Sequence, residues 1–195
     1  MARKAKIERK TSETDIRILL DLDGTGKGKI ATTIPFLDHM LTLMARHGLF
    51  DLTMKARGDT DVDDHHLVED LGICLGKAFR KALSAKEGIN RYGSATVPMD
   101  ESLAAVHIDL SGRSYLVYHV DFGSRKIKTF DLALIREFLK AFADQGGMTL
   151  HVNVMYGKNN HHIAEAIFKA LARALRDAVA VNTRVRGVLS TKGTL

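Results

Sequence analysis

Two copies of one five-residue pattern occur in the chain, as His65-His66-Leu67-Val68-Glu69 and as His161-His162-Ile163-Ala164-Glu165. Imidazole nitrogens and carboxylate oxygens bind divalent transition metals, and neither copy contains a thiolate of the kind that structural zinc sites use. The second copy begins about half the length of the 195-residue chain after the first. The pattern therefore predicts two metal-binding segments made by duplication of one unit, with Mn, Fe, Zn or Ni as candidate ions.

The spacing within each copy predicts more than one ion. On a helix each glutamate lies three or four residues after the histidines, so it can share a face with either of them. The two adjacent histidines, however, point about 100° apart and are not expected to bind the same ion. Each motif is therefore expected to serve two ions, shared between the motifs within one chain or across a subunit boundary.

Further candidate ligands come from the segments that precede each motif. His39 and Glu137 occupy comparable positions before the two motifs, each in a predicted short helix. The acidic residues of the loop before the first motif have two interpretations, since they can orient the histidines or form a solvated loop. These acidic residues are Asp59, Asp61, Asp63 and Asp64. Asp63 or Asp64 is also expected to cap the helix that follows.

The elements that must position these residues follow from hydrophobic periodicity. Alternating apolar residues predict strands over residues 15–22, 29–34, 50–57, 94–98, 102–110, 114–122 and 149–156. Helical spacing and cap residues predict helices over residues 37–47, 65–85, 131–144 and 161–181. Both halves run in the order strands, short helix, strand, loop, motif and long helix, and residues 65–83 match residues 161–179 at seven of nineteen positions.

The predicted fold is therefore an α+β pseudo-dimer, in which each half is a small mixed β-sheet with helices on one face. We place the first half at residues 1–90 and the second at residues 91–195. The second half includes a C-terminal tail, for which the family resemblance described below implies substrate binding.

Composition limits the classes of function. The chain is 45% hydrophobic and 27% charged, with a net charge of +6, which is typical of a globular protein. The basic residues are scattered and aromatic residues make up 6%, so a small anionic substrate is favoured over nucleic acid. No secretory signal or membrane-length apolar run is recognisable. The single cysteine, Cys74, lies in an apolar run and is expected in the core, which favours a reducing, cytoplasmic location.

Several separate motifs, in the same order, resemble those of the imidazoleglycerol-phosphate dehydratase family of histidine biosynthesis over nearly the whole chain. The matching segments are Arg9-Lys10-Thr11-Ser12-Glu13-Thr14, Phe36-Leu37-Asp38-His39-Met40-Leu41, Arg46-His47-Gly48-Leu49, residues 58–70, Arg91-Tyr92-Gly93, Met99-Asp100-Glu101, Asp109-Leu110-Ser111-Gly112-Arg113, residues 161–174 and Ser190-Thr191-Lys192-Gly193. The resemblance implies a hydro-lyase that converts imidazole glycerol phosphate to imidazole acetol phosphate and water.

The resemblance also implies the roles of individual residues. The implied metal ligands are His39, His65, His66, Glu69, Glu137, His161, His162 and Glu165, holding two Mn(II) ions per active site with other divalent metals as alternatives. Many members carry histidine where this chain has Glu137. The implied substrate contacts are Glu13, His39, His47, His65, Arg91, Arg113, His161, Lys169, Ser190 and Lys192. Glu13 is the first candidate for proton transfer, and its rivals are a metal-binding carboxylate, Glu69 or Glu165, and a metal-bound water.

The implied mechanism uses the imidazole ring of the substrate as the electron sink. Two metal ions, one on each ring nitrogen, would favour a dimetal-bound imidazolate that expels the neighbouring hydroxyl. The resemblance further implies self-association into a large homo-oligomer of about twenty-four subunits, with neither nucleic acid nor a membrane as partner. Two other classes stay open from the residues alone. A metal-storage or metal-sensing protein needs the histidine clusters without the basic residues, and a basic nucleic-acid-binding domain leaves the twin motifs unexplained.

Overall fold

The computed structural model describes residues 2–194. Its elements form two successive series, each of which begins with strands and ends in a long helix. In chain order the elements are β1 (Lys4–Lys10), β2 (Thr14–Asp21), β3 (Gly28–Ala31), α1 (Pro35–Gly48), β4 (Asp51–Gly58), α2 (His65–Leu83), β5 (Tyr92–Met99), β6 (Ser102–Asp109), β7 (Tyr115–His119), β8 (Lys126–Ile127), β9 (Phe130–Asp131), α3 (Ala133–Gly146), β10 (Thr149–Tyr156) and α4 (Asn160–Val179).

The two main sheets have the same topology. The first has the strand order β1-β2-β4-β3 and the second has the order β5-β6-β10-β7. In each sheet the first three strands of this order pair antiparallel. The fourth strand, β3 or β7, comes before the short helix in the chain and pairs parallel with its neighbour. This repeated mixed sheet confirms the predicted duplicated α+β fold. The short β8–β9 pair belongs to the second half and has no counterpart among the described strands of the first.

The helices join the two halves. The long helix α2 packs on β1 and β2, and the long helix α4 packs on β5 and β6. Each long helix also packs against the short helix of the other half, α2 against α3 and α4 against α1. The contact between α2 and α3 is close, since a Cβ atom added to Gly72 would lie 2.5 Å from the carbonyl oxygen of Phe138. The helices therefore place residues from different halves next to one another.

One face of each sheet is buried, as the strand patterns predict. In β2, Ile16, Ile18 and Leu20 are buried while Arg17 and Leu19 between them are exposed. Burial of one face is the arrangement expected for strands that alternate apolar and polar residues. A single apolar core consequently fills the space between the sheets and the helices.

The differences from the predicted elements have simple causes. β1 was not predicted, because its sequence is mostly charged and it lies at the edge of the first sheet. It is held there by a seven-pair register with β2 and by ion pairs such as Lys4 with Asp21, at 3.0 Å. The strand predicted over residues 114–122 is shorter, Tyr115–His119. The other predicted strands and helices agree with the observed ones within a few residues.

Cys74 lies in the core, as predicted. Its side chain is fully buried on α2, and burial, together with the nearby Asp70, raises the pKa of the thiol to about 11. The group is therefore a neutral thiol at physiological pH. Across the described residues, the helices fall short of the length and apolar character that a membrane crossing requires.

The segment between the halves runs alongside the C-terminal segment. The N–H of Gly88 donates to the carbonyl of Gly187, and the N–H of Asn182 donates to the carbonyl of Gly88, each at 2.8 Å. Ile89 and Val181 form an isolated β-bridge. The C-terminal segment therefore starts on the connection between the two halves, and the division of the chain at residue 90 stays a prediction.

Candidate active site

Both His-His-x-x-Glu motifs begin in the first turn of a long helix. The side chain of Asp63 accepts the N–H of His65 at 2.7 Å, and the side chain of Asn159 accepts the N–H of His161 at 2.9 Å. These bonds satisfy amides that have no partner within the helix. Of the two predicted caps of α2, Asp63 makes the bond and Asp64 does not. In both motifs, therefore, a side chain two residues earlier holds the backbone N–H of the first histidine.

His39, His161 and Glu165 form a compact cluster. The Nε2 atoms of His39 and His161 lie 2.8 and 3.2 Å from Oε1 of Glu165, and the donor atoms of all three residues lie within 4.8 Å of one another. His39 comes from α1 in the first half and the other two residues come from α4 in the second half. Packing of α1 on α4 therefore assembles a possible His/Glu metal site from both halves.

The charge of Lys169 acts on this cluster and on the nearby His47. Lys169 Nζ lies 2.7 Å from the other carboxylate oxygen of Glu165. Burial by itself would raise the pKa of Glu165, but hydrogen bonds from Lys169, His39 and His161 outweigh it and lower the pKa to about 2. Burial, followed by the charges of Lys169 and Arg173, lowers the pKa of His47. The cluster therefore combines an ionised carboxylate with imidazoles, a donor set suited to a divalent cation.

The corresponding residues of the first half are more open. His65 Nε2 and Glu69 Oε2 are 3.9 Å apart. Glu137 lies on α3, its carboxylate is 3.0 Å from Arg136, and it lines a cavity of about 730 Å³ together with His65. His39 and Glu137 are equivalent, because each is the fifth residue of a helix of 14 residues. The structure brings Glu137 and His65 to one cavity without the close contacts of the other set.

The second histidine of each motif points away from the first and meets a carboxylate. His66 Nδ1 is 3.0 Å from Asp59 Oδ2, and His162 Nδ1 is 2.7 Å from Glu101 Oε2. The ring centroids of neighbouring histidines are 6.3 and 6.5 Å apart, and the two rings of each motif contact different carboxylates, as expected for adjacent residues on a helix. Asp59 belongs to the acidic loop considered above. Glu101 was missed, although its segment contributed to the family resemblance.

Four of the ten substrate-binding candidates share one cavity. Arg91, Arg113, Ser190 and Lys192 line one cavity of about 1010 Å³. Arg91 makes two bonds to Asp109, of 2.7 and 3.1 Å, and donates to the carbonyl of Leu189 at 2.7 Å. Arg184 and Arg186 line the same cavity. Sequence reasoning missed these two arginines, whose only signal was a basic segment shortly before Ser190.

Glu13 lies elsewhere, in the turn between β1 and β2. Its side chain is exposed, and its amide donates to Thr11 Oγ1 at 3.1 Å. It lines a recess of about 320 Å³ together with Asp59, and its charge contributes to the raised pKa of His66, whose largest cause is the bond to Asp59. The Glu13 carboxylate is therefore within electrostatic range of the second histidine of the first motif.

The fold and the site define a class of protein: an internally duplicated α+β protein that has a compact His/Glu cluster and a separate cationic cavity. Comparison with known proteins gives the family. Residues 32–175 match the family model described as imidazoleglycerol-phosphate dehydratase. The chain belongs to this family and is accordingly a dehydratase, a hydro-lyase of histidine biosynthesis.

Relatives and solved structures agree over the full length. The imidazoleglycerol-phosphate dehydratase of Syntrophus aciditrophicus is 63% identical over 99% of this chain and 98% of its own. That of Geobacter sulfurreducens is 60% identical over the whole of both chains. The crystal structure of the enzyme from Staphylococcus aureus has a TM-score of 0.84 at 37% identity, covering 92% of this chain and 99% of that one. The structure from Pyrococcus furiosus, in complex with (S)-C348, has a TM-score of 0.84 at 38% identity and covers 97% and 100%.

Proposed function

We propose that this protein is a metal-dependent dehydratase that converts imidazole glycerol phosphate to imidazole acetol phosphate and water. The observation that carries the proposal is the cluster of His39, His161 and Glu165 in a member of this family. At octahedral or tetrahedral angles, ligand atoms about 2.0–2.2 Å from a shared ion lie about 2.8–3.6 Å from one another, and the 2.8 and 3.2 Å separations within the cluster are of this size. The donor set therefore fits a divalent cation.

We assign two Mn(II) ions to each active site, with other divalent metals as alternatives. The proposed ligands are the compact cluster, the open set of His65, Glu69 and Glu137, and the second histidines His66 and His162. Bound to the ring nitrogens of the substrate, such ions would withdraw electron density and favour the imidazolate form that expels the neighbouring hydroxyl. Glu137 replaces an imidazole by a carboxylate, which Mn(II) also accepts.

Glu13 is the proposed proton-transfer residue. Its carboxylate is exposed and lines a recess together with Asp59, the hydrogen-bond partner of His66, and from there it can reach a substrate held at the histidines. Glu165 is less suited to this role, because Lys169, His39 and His161 already hold its carboxylate. Glu69 is half exposed and is the stronger rival.

The cavity of about 1010 Å³ is the proposed phosphate site. Five cationic side chains line it, and none of its described lining residues is acidic. Guanidinium groups bind phosphate through paired hydrogen bonds, and a lysine adds a point charge. Ser190 and Lys192 belong to the C-terminal segment, which we propose as the substrate-binding tail of the second half, residues 91–195.

The distance between the cluster and the cavity supports self-association. The N–H of Arg91 donates to the carbonyl of Ala178, near the C-terminal end of α4, whereas His161 lies in its first turn. At 1.5 Å per residue, the two ends of this stretch are about 25 Å apart. A three-carbon chain between imidazole and phosphate cannot span that distance. We therefore propose that each active site combines residues from several chains of a large homo-oligomer, with twenty-four subunits as the proposed number.

Chelation is the direct test of metal dependence. Removal of metal should abolish the dehydration of imidazole glycerol phosphate, and added Mn(II) should restore it. The variant Glu137→Ala should hold less metal by elemental analysis. Full turnover by stripped enzyme would overturn the metal-dependent mechanism, and an unchanged metal content in the variant would remove Glu137 from the ligands.

Mixing two inactive variants tests the shared site. Chains with Glu165→Ala and chains with Arg91→Ala should each be inactive alone. After the two are unfolded and refolded together, sites that take the cluster from one chain and the cavity from another should regain activity. Mixed assemblies that stay inactive would contradict the shared site.

We also propose a cytoplasmic location, consistent with a role in amino-acid biosynthesis and testable by fractionation of cells.

A further inference from the structure

Glu13 and Glu101 occupy the same position in the two halves. Glu13 directly precedes β2 and Glu101 directly precedes β6, and each of these strands has eight residues and lies second in its sheet. The residue after each glutamate carries a buried hydroxyl, Thr14 in one half and Ser102 in the other. Duplication thus supplied one carboxylate at this turn to each half, and the two carboxylates now have different surroundings.

The carboxylate of Glu101 is fully engaged. Its Oε1 accepts from Ser102 Oγ at 2.9 Å, from the Lys158 N–H at 3.2 Å and from the Asn159 N–H at 2.8 Å. Its Oε2 lies 2.7 Å from Nδ1 of His162. One oxygen therefore holds the short loop before α4, and the other faces the second histidine of the motif.

The first half satisfies the same histidine in another way. Its loop between β4 and α2 comprises residues 59–64, whereas the loop between β10 and α4 comprises residues 157–159. The longer loop contributes Asp59, whose Oδ2 lies 3.0 Å from Nδ1 of His66. The N–H of Asp59 donates to the backbone carbonyl of Glu13, at 3.1 Å, and not to its side chain. Within residues 2–194, the Glu13 carboxylate makes no hydrogen bond, so it is available for chemistry.

We propose that Glu101 is a positioning residue, which holds Nδ1 of His162 as the hydrogen-bond donor and thereby leaves Nε2 for the cation. Asp59 holds Nδ1 of His66 as a hydrogen-bond donor in the same way. The Glu13 carboxylate is therefore not needed to orient a histidine. The inference rests on the proposed metal-dependent function, because it concerns how the histidines meet the ion. Histidine ligands generally need such a partner on the other ring nitrogen.

The hydrogen bonds of Glu101 make the substitution Glu101→Gln informative. A glutamine amide nitrogen cannot replace Oε1, because three donors already point at that atom. The amide oxygen must stay there, so the amide nitrogen faces His162 as a donor. Nδ1 must then accept, which puts the proton on Nε2 and blocks metal binding. The variant keeps the loop and changes one hydrogen-bond direction.

The substitution Asp59→Asn is the matched comparison. Asp59 Oδ1 is buried without a partner among the described residues, so the new amide can turn its oxygen toward His66 and keep Nδ1 as the donor. Glu8→Gln serves as the charge control, because Glu8 is exposed on β1 beside Lys6. We therefore expect Mn(II) affinity to fall most with Glu101→Gln, less with Asp59→Asn and not at all with Glu8→Gln.

The experiment is a titration of metal-free enzyme with Mn(II). Binding is measured by calorimetry and, independently, by the electron paramagnetic resonance signal of the free ion. Loss of a partner of this kind typically weakens metal binding about 10–100-fold, and Glu101→Gln should show a loss of this size at one of the bound ions. Thermal unfolding of the metal-free variant should stay close to that of the wild type. Wild-type affinity in Glu101→Gln would overturn the inference, whereas a wild type that binds no metal would instead overturn the proposed function.

A double-mutant cycle separates positioning from a general structural effect. In a His162→Ala background, Glu101→Gln should cause no further loss of Mn(II) affinity, because Glu101 acts through His162. An equal further loss in that background would show that Glu101 acts on metal binding by another route and would refute the proposal. An anomalous map of Glu101→Gln crystals should show reduced occupancy at the ion nearest His162, and full occupancy there would count against it.

Discussion

The glutamates of the two motifs share a helix position and differ in their surroundings. Glu165 has 10% of its side chain exposed and contacts His39, His161 and Lys169, whereas Glu69 has 50% exposed and its contact with His65 is 3.9 Å long. In the second half the candidate ligands therefore contact one another in the free chain, whereas in the first half they lie farther apart and are more exposed. Identical motifs in identical topologies do not produce identical sites.

The neighbours one turn away account for the difference. Lys169 lies four residues after Glu165, and the residue four after Glu69 is Ile73. His47 of α1 has Gln145 of α3 as its counterpart, because both helices have 14 residues. The cation next to Glu165 keeps that carboxylate ionised in spite of burial. The different neighbours therefore give equivalent glutamates different electrostatic surroundings.

The largest expected effect separates the two glutamates directly. Glu165→Ala should weaken Mn(II) binding by more than about 100-fold, beyond the usual effect of losing an orienting partner, because it removes the centre of the compact cluster. Glu69→Ala should weaken it less, since its set is less organised. Calorimetric titration of the metal-free variants gives both values. Equal losses would mean that compactness in the free chain does not matter.

The second effect concerns the cavity of about 1010 Å³, whose lining residues all belong to the second half. Arg91 directly precedes β5 and Arg3 directly precedes β1, so they are counterparts, and each binds an aspartate. Arg91→Lys should lower kcat/KM about 10–100-fold, because a charge-assisted hydrogen bond contributes about 1.5–3 kcal/mol. Arg3→Lys is the control and should leave kcat/KM near the wild-type value. Steady-state kinetics that show equal losses would contradict the assignment of the phosphate site.

The third effect is the pH dependence of stability that Glu165 contributes. Its pKa is about 2 in the folded protein against an ordinary value of 4.5. A lowered pKa stabilises the folded state above the ordinary value, and this contribution fades as the pH falls from about 4.5 to about 2. The difference in unfolding free energy between metal-free wild type and Glu165→Gln should therefore shrink over that range, as urea denaturation can measure. Glu69→Gln is the matched control, and a pH-independent difference for Glu165→Gln would refute the explanation.

The smallest effect should be the same in both halves. Asp63→Ala and Asn159→Ala each remove the side chain that accepts the N–H of a motif's first histidine. Each should cost about 1 kcal/mol of unfolding free energy, as is usual for a helix cap. Denaturation of the metal-free variants measures both. A cost confined to one half would show that the caps are not equivalent.

Local patterns predicted most of the elements, and the failures have physical causes. Alternation revealed β2, and helical spacing revealed α2 and α4, because one face of each is apolar. β1 was missed because it is a charged edge strand, stabilised by its register with β2. Glu101 was missed because it reaches His162 across 61 residues, through a turn that no periodicity marks.

The sequence by itself determined the candidate ligand types, the repeated order of elements and the helix position of each motif, because helix and strand periods and cap chemistry are local properties. Tertiary structure decided which ligands meet. His39 and Glu165 lie 126 residues apart in the chain and 2.8 Å apart in space, because burial of apolar faces packs α1 of one half on α4 of the other. The same packing leaves Glu137 near His65 without closing a second cluster, since the side chains around that pair differ.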